Sequence, residues 1–175
     1  MPEVLNEEIL KVEELIPSIY RIVVKSNYTA ANARPGQFIN IKCGDGNSTL
    51  LRRPISICSV DREKNTFDIV FQIKGTGTRI LSQKKVGDRL NFIGPLGNPF
   101  ELSEKYQRIV LVGGGIGIFP LLYLLESKCA LSKTSFLGVR NKECVVLEDE
   151  FKRSADKIYV STDDGSYGHK GIITD

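Results

Sequence analysis

The stretch RIVLVGGGIGIFP, residues 108–120, decides how the second half of the chain folds. Residues 109–112 form a continuous apolar run that ends in glycine, as in a parallel strand that is covered on both faces. The segment that follows, GIGIFPLLYLLESK, predicts a helix with Leu121, Leu122 and Leu125 facing inward. A strand, a glycine-rich turn and a helix in this order indicate an α/β unit.

The sequence beyond this unit repeats the pattern. TSFLGVRN predicts a second strand, CVVLEDEFKR a second helix and KIYVST a third strand. This alternation is typical of a parallel sheet with helices packed on it. Three strands are about half of the roughly five or six in a doubly wound sheet. We therefore expect a partial α/β domain over residues 103–175.

Residues 1–102 follow a different pattern, in which short runs of alternating apolar and polar residues are separated by turns. Phe67, Ile69, Phe71 and Ile73 share one face of TFDIVFQIK. Similar strand-length runs are GQFINIKC, SIYRIVVKS, LRRPISICSV, DRLNFI and EEILKVEEL. No convincing helix interrupts them, so we expect a small antiparallel β-barrel.

Composition narrows the possible functions. The 175 residues are 41% hydrophobic and 26% charged, with a net charge of +3, which does not favour a nucleic-acid or membrane-surface partner. No apolar run approaches the roughly 18 residues of a membrane helix. The acidic N-terminus lacks the basic flank of a secretory signal, so we expect a cytoplasmic protein. The four cysteines are dispersed without a C-x-x-C, and we expect no metal site.

Two segments of the first half carry groups suited to phosphate. Arg53 lies in RRPISI, and its planar guanidinium matches phosphate geometry, although a solvated basic pair before a buried strand would look the same. The segment Lys74–Leu81 follows a strand, and its glycines could expose backbone N–H groups at a helix start. A simple strand-to-helix turn is the alternative.

Two segments of the second half carry nucleotide-type chemistry. Gly113–Gly117 departs from G-x-G-x-x-G because position 118 is Ile, yet glycines at the end of a parallel strand still favour a nucleotide over a tight structural turn. Asp163 and Asp164 follow the third strand. Their carboxylates could accept hydrogen bonds from ribose hydroxyls and would repel a 2′-phosphate, or they could be turn residues only.

In combination, these segments resemble the ferredoxin–NADP reductase superfamily, and within it the electron-transfer subunits of NAD-dependent, class 1B dihydroorotate dehydrogenases. The resemblance runs from about residue 8 to the end. It rests on LLRRPISI, KGTGTRILSQKKVGD, IGPLGNPF, LVGGGIGIFPL and STDDGSYGHKG. It implies a FAD-binding barrel over residues 1–102 followed by an NAD-binding α/β domain over residues 103–175.

The resemblance also implies roles for individual residues. Arg53 would hold the FAD pyrophosphate, and Ser56, the candidate catalytic residue, would hydrogen-bond near the reactive flavin N5. Ile55 stands where many superfamily members have a stacking tyrosine. The other implied FAD contacts are Pro54, Gln72, Ile73, Lys74, Gly77 and Thr78, and the implied nicotinamide-nucleotide contacts are Gly113, Gly114, Gly115, Ile116, Gly117, Pro120, Asp163 and Asp164.

The implied function is electron transfer between FAD and NAD(H) for dihydroorotate oxidation in pyrimidine biosynthesis, in a heterotetramer with an FMN-containing catalytic subunit. The family also has a Cys-Gly-Pro element and a cysteine-rich segment that holds a 2Fe–2S cluster, and neither occurs in this sequence. Two alternatives stay open. The chain could be a stand-alone NADH:flavin or ferredoxin reductase, or a FAD-binding or partner-docking module without turnover.

Overall fold

The structure is a computed structural model that describes residues 1–44, 49–103, 105–127 and 132–175. The chain divides into two compact units, Met1–Pro99 and Phe100–Asp175. No helix among the described residues is long and apolar enough to cross a membrane.

The first unit is a closed six-stranded antiparallel barrel in the order β1-β2-β5-β4-β3-β6. This confirms the predicted barrel. Its strands are β1 (Glu3–Ile16), β2 (Ile19–Lys25), β3 (Phe38–Lys42), β4 (Arg53–Asp61), β5 (Thr66–Gln72) and β6 (Arg89–Leu96). Two helices accompany them, α1 (Asn27–Asn32) and α2 (Thr76–Ser82).

The barrel core follows the period-two pattern of the sequence. Ile39 and Ile41 of β3 are fully buried, as are Phe67 and Ile69 of β5. The rings of Phe67 and Phe92 meet edge to face with centroids 5.4 Å apart. The alternating apolar residues therefore fill the barrel, as each strand's pattern predicts.

The expectation of no helix in this half is wrong at α1. The Ser26 side chain caps it by accepting from the Thr29 N–H. Arg62 donates to carbonyl oxygens at its other end, those of Ala30, Ala31 and Ala33. A six-residue helix held by capping bonds rather than by an apolar stripe leaves little periodic signal.

The second unit is a parallel sheet in the order β10-β9-β8-β7. Its strands are β7 (Arg108–Gly114), β8 (Ser132–Val139), β9 (Lys157–Thr162) and the two-residue β10 (His169–Lys170), which the sequence did not predict. Its helices are α3 (Phe119–Glu126) and α4 (Glu148–Ser154), with short 3₁₀ turns at Gly115–Ile118 and Lys142–Cys144. The predicted α/β class is confirmed.

The second predicted helix is too long. CVVLEDEFKR was expected to be helical throughout, but α4 begins at Glu148 because Leu147 adopts a left-handed conformation with φ 59°. The buried side chains of α3 and α4, among them Leu122, Leu125 and Phe151, form the core with Leu111 and Leu137 of the sheet.

Candidate functional site

Strands β4 and β5 separate at one end of the barrel. Their pairing covers Ile57–Asp61 opposite Thr66–Ile69 and goes no further. The residues that precede Ile57 in β4 pair only with β3, where Ser56 lies opposite Phe38 and Arg53 opposite Ile41. Pro54 suits this one-sided stretch because it has no N–H to give to a second neighbour. The separation leaves an open strand edge at RPIS.

Arg53 and Ser56 lie on opposite faces of β4, as their spacing predicts. Residues opposite each other in an antiparallel pair share a face. Arg53 therefore shares the face of the buried Ile41, and Ser56 the face of Phe38. The Ser56 hydroxyl has no hydrogen-bond partner among the described residues. It is available to a ligand.

The side chain of Arg53 packs against the first turn of α2. A Cβ atom at Gly77 would lie 3.2 Å from Nε and 3.3 Å from Cγ of Arg53. Nη1 of Arg53 donates to the carbonyl oxygens of Leu51 and Arg52, at 2.9 and 3.3 Å. The guanidinium is therefore held against a helix start, and its remaining N–H groups have no partner among the described residues.

The first turn of α2 is a set of backbone donors. The N–H groups of Thr76, Gly77 and Thr78 precede the first intrahelical bond, from Arg79 N to Gly75 O. The Thr78 hydroxyl accepts from the N–H groups of Lys74 and Gly75, at 2.9 and 3.2 Å, and donates to Gly75 O. This hydroxyl fixes the turn, which leaves the backbone N–H of Thr78 to face a ligand.

Arg52 plays a different part from its neighbour. Its Nη2 donates to Asn91 Oδ1 at 2.7 Å and its Nη1 to Asn40 O at 3.2 Å. These bonds tie the entry to β4 to strands β3 and β6. Of the two arginines, Arg53 alone has its charge directed to the turn of α2.

The remaining residues predicted to contact FAD follow β5 or lie on β4. Gln72 ends β5, and Ile73 N donates to Ser18 O at 2.8 Å. Lys74 is exposed just before the α2 turn, and Ile55 is half-buried on β4. These residues lie on β4, at the end of β5 and in the turn that joins β5 to α2.

In the second unit, the glycine-rich turn is open. A Cβ atom at Gly115 or Gly117 would meet nothing within 4 Å, and Gly115 has φ 55°, a conformation that favours glycine. Gly114 and Ile116 are also exposed. By contrast, a Cβ atom at Gly113 would lie 2.7 Å from Leu121 Cδ1, so Gly113 serves strand–helix packing. Pro120 lies in the first turn of α3, where its missing N–H costs little.

The two aspartates that follow β9 have different surroundings. Oδ1 of Asp164 accepts from the N–H and the hydroxyl of Ser166, at 2.9 and 2.6 Å. The Ser166 hydroxyl, more than its N–H, holds the pKa of the Asp164 carboxyl below its usual range. The side chain of Asp163 has no partner among the described residues and is exposed. Asp164 is a turn residue, and Asp163 is available to a ligand.

Two features of the site were missed in the sequence. The capping hydroxyl of Thr78 occupies the position three residues after the cap where Glu or Gln usually reaches back, so the usual capping signal is absent from the sequence. By contrast, the bond from Ser166 to Asp164 could have been anticipated, since Asp-Gly-Ser is a sequence that forms side-chain turns.

Among the described residues, no three His, Cys, Asp or Glu side chains lie close enough together to hold a metal ion. Cys43, Cys58 and Cys144 are in no disulfide among the described residues; the first two are buried and the third is half-buried. Cys129 lies outside the described residues. His169 is exposed on β10, as expected of a surface residue.

Comparison with known proteins places this geometry in a family. Residues 10–101, which cover most of the barrel, match the oxidoreductase FAD-binding domain. Over 177 aligned residues the chain is 38% identical to the dihydroorotate dehydrogenase B (NAD(+)) electron transfer subunit of Desulforamulus reducens, covering 99% of this chain and 67% of that one. The chain belongs to the family of these electron transfer subunits. Its FAD-binding barrel is the domain that the family match covers.

Other relatives carry the same name. The Streptococcus mutans subunit is 40% identical over 97% of this chain and 66% of its own length. The chain thus spans about two thirds of the length of these relatives.

Solved structures agree. An NADH-dependent reduced ferredoxin–NADP oxidoreductase is 34% identical, with a TM-score of 0.83 over 96% of this chain and 60% of that one. A ferredoxin NADP+ reductase from Neisseria gonorrhoeae, with bound FAD and NADP, has a TM-score of 0.79 at 17% identity, covering 96% and 72% of the two chains. That likeness shows the shared fold.

The residues of the barrel fit the cofactor that the family name implies. Glycine at position 77 lets the Arg53 side chain lie directly on the first turn of α2, because a Cβ atom there would come within 3.2 Å of Arg53 Nε. The N–H groups of Thr76, Gly77 and Thr78 and the guanidinium of Arg53 lie at the same end of α2, and donors of this kind suit a pyrophosphate group. At the open edge of β4, the Ser56 hydroxyl has no partner within the described part of the chain and is available to hydrogen-bond a ligand.

Proposed function

We propose that this chain is the electron-transfer part of a FAD-dependent NAD(H) oxidoreductase, a component of dihydroorotate dehydrogenase. Residues 1–102 would bind FAD and residues 103–175 NAD. The observation that carries the proposal is Arg53 packed against the first turn of α2 at an open strand edge. That geometry occurs in a chain about 40% identical to named electron transfer subunits.

On the barrel, each group has a defined task. Arg53 and the N–H groups of Thr76, Gly77 and Thr78 would neutralise the pyrophosphate of FAD. Ser56 would hydrogen-bond the flavin ring near N5, with Pro54 and Ile55 along the strand beneath it. Gln72, Ile73 and Lys74 would contact the rest of the flavin. When bound, FAD supplies the redox chemistry, since it can accept two electrons from NADH and release them one at a time.

On the α/β unit, Gly114–Gly117 would approach the phosphates of NADH because no side chain except that of Ile116 intervenes. Asp163 would accept hydrogen bonds from ribose hydroxyls and repel a 2′-phosphate, which favours NADH over NADPH. The protein's contribution is binding, orientation and charge. No acid–base pair is needed for this chemistry.

The partner follows from the names of the relatives. An electron transfer subunit of dihydroorotate dehydrogenase B works with a catalytic subunit. We propose that this subunit carries FMN and oxidises dihydroorotate in pyrimidine biosynthesis, and that the two chains form a heterotetramer. We also propose a cytoplasmic location.

A second candidate is a stand-alone NADH:ferredoxin reductase, favoured by the 34% identity to an NADH-dependent ferredoxin–NADP oxidoreductase. A third is a FAD-binding or partner-docking module without turnover, favoured by the family match, which covers the FAD-binding domain at residues 10–101.

One experiment separates the three candidates. The FAD-loaded chain is mixed anaerobically with NADH, and its flavin absorbance is followed. Bleaching supports a reductase, and unchanged absorbance with FAD still bound supports the module. Co-purification with a dihydroorotate-oxidising chain then distinguishes the dehydrogenase subunit from the stand-alone reductase.

A further inference from the structure

A polar cavity on the barrel lies outside the proposed flavin site. Its volume is about 380 Å³ and its lining comes from β1, β3, β6 and the segment after α2. The lining residues are Asn6, Lys42, Cys43, Gly44, Lys84, Arg89 and Asn91. Three of these are cations, and none of the described lining residues is an acid. The nearest acid along the ladder, Glu8 opposite Arg89, forms no ion pair with it in the part of the chain that is described.

Hydrogen bonds within the protein fix two of the lining side chains so that each presents N–H donors to the cavity. Arg52 donates to Asn91 Oδ1 at 2.7 Å. Because a guanidinium can only donate, this bond fixes the amide oxygen of Asn91 toward Arg52 and leaves its NH₂ group as the free donor. Lys84 Nζ reaches Arg89 O at 3.5 Å, which holds the ammonium beside β6. A cavity that offers cations and amide donors selects an anion.

Cys43 belongs to the lining of this cavity and also lies close to the contact between Gly77 and Arg53. Its side chain lines the cavity, and its Sγ would lie 3.5 Å from a Cβ atom at Gly77, the residue that packs on Arg53. Burial raises the pKa of the Cys43 thiol, and the charges of Arg53 and Lys84 oppose that rise. The described residues that line the cavity include none of the proposed flavin contacts, so the two positively charged regions have different linings.

We propose that this cavity binds a small phosphorylated ligand with at least two negative charges, at a site separate from the flavin site. Its volume lies within the range of about 300–1,000 Å³ usual for pockets that hold small molecules. A single water-sized ion would leave most of it empty. Lys84, Arg89 and the amide of Asn91 are the principal ligand contacts, with Lys42 adding charge.

The test uses the FAD-saturated chain and inorganic pyrophosphate as the probe, measured by isothermal titration calorimetry at physiological salt. We expect one binding event per chain at this site. Lys84→Gln and Arg89→Gln should each weaken it by about tenfold or more, the loss typical of one charge-assisted hydrogen bond. The matched controls are Lys85→Gln and Arg34→Gln, which remove the same charge from exposed side chains outside the cavity. They should leave the affinity within about twofold.

Three results would overturn the proposal. These are no binding by the wild-type chain, equal losses in the control variants, and binding to the FAD-free chain that disappears when FAD is added. The last result would assign the cavity to the flavin site. Replacing the probe by a sugar bisphosphate identifies the source of the phosphate. Tighter binding of the sugar bisphosphate supports a phosphorylated metabolite, and tighter binding of pyrophosphate supports an inorganic one.

Discussion

Arg53 and Gly77 are packed so closely that a methyl group on Gly77 would lie 3.2 Å from the Arg53 Nε and 3.3 Å from its Cγ. The two residues are 24 positions apart, on β4 and α2, and the barrel brings them together. Glycine at this position lets the guanidinium lie directly on the first turn of the helix. The N–H groups of that turn and the charge of Arg53 then face the same space.

Gly77→Ala tests this contact. The added methyl group should push the guanidinium away from the turn and weaken FAD binding by up to about 1.5–3 kcal/mol, the range for a hydrogen bond to a charged group. Thermal stability should hold or rise, because Ala is favoured over Gly in a helix by up to about 1 kcal/mol. FAD affinity from a fluorescence titration and Tm from calorimetry are the two readouts.

Gly75→Ala is the matched control for that variant. It has an extended backbone, and a Cβ atom there would meet nothing within 4 Å. FAD affinity should stay close to that of the wild type. Equal losses in both variants would show that the contact with Arg53 is irrelevant to the flavin.

Arg53→Ala should weaken FAD binding by about 1.5–3 kcal/mol, since it removes charge-assisted hydrogen bonds to a phosphate. Arg34→Ala removes an equal charge from an exposed position outside the site and should not change FAD affinity. Equilibrium dialysis against FAD measures both variants. Unchanged affinity in Arg53→Ala would refute the role assigned to this arginine.

Alanine substitutions at Gly113 and Gly117 should have different effects, one on the stability of the fold and the other on NADH binding. Gly117→Ala adds a methyl group in open space, so it should weaken NADH binding with little change in Tm. Gly113→Ala forces a methyl group to within 2.7 Å of Leu121 Cδ1 and should destabilise the chain by about 1–3 kcal/mol. NADH titrations and thermal melts measure both variants. A lower Tm in Gly117→Ala together with weaker NADH binding and an unchanged Tm in Gly113→Ala would contradict these two assignments.

Asp163→Asn should narrow the preference for NADH over NADPH by about fivefold, roughly the 1 kcal/mol of a well-solvated charge–charge contact. Asp164→Asn should change it much less, because Ser166 already occupies the Asp164 Oδ1. Competition of NADH and NADPH for the wild-type chain and both variants measures the ratio. If Asp164→Asn changes the ratio of NADH to NADPH affinity more than Asp163→Asn does, then Asp164 and not Asp163 is the residue that faces the ribose.

The hydrogen bond between Ser166 and Asp164 should also affect how the stability of the fold depends on pH. Ser166 lowers the pKa of the Asp164 carboxyl in the folded chain, so this pair stabilises the fold above the ordinary aspartate range. That contribution is lost as the pH falls through the lowered folded value. Ser166→Ala should raise the carboxyl pKa, measured by carbon-detected NMR titration. Its Tm should lie below that of the wild type at neutral pH and approach it in acid.

Much of the architecture could be predicted because burial leaves a periodic trace. Ile39 and Ile41 alternate with polar residues along β3, and their burial follows from that alternation. The apolar run before Gly113 likewise predicts β7, but the expectation that both faces are covered is wrong, because Val110 and Val112 are 62% and 55% exposed while Leu111 is buried. The start of α4 could not be predicted, since the break at Leu147 is a left-handed residue with no glycine to mark it.

The sequence indicates which segments form the candidate site, but it does not indicate which side chains contact each other within it. The sequence identified RRPISI and KGTGTR as phosphate-type segments, and nothing in it says that Arg52 bonds to Asn91 while Arg53 packs on Gly77. That division depends on strand register and on where β4 leaves β5. The difference between Asp163 and Asp164 depends in the same way on a bond made two residues later.

The most direct test is the absorbance spectrum of the purified chain after incubation with FAD and gel filtration. The account predicts one FAD retained per chain, with the two absorption bands of bound oxidised flavin, and much less retained by Arg53→Ala. A wild-type chain that is folded but retains no flavin would contradict the central claim that the barrel holds FAD at Arg53 and the first turn of α2.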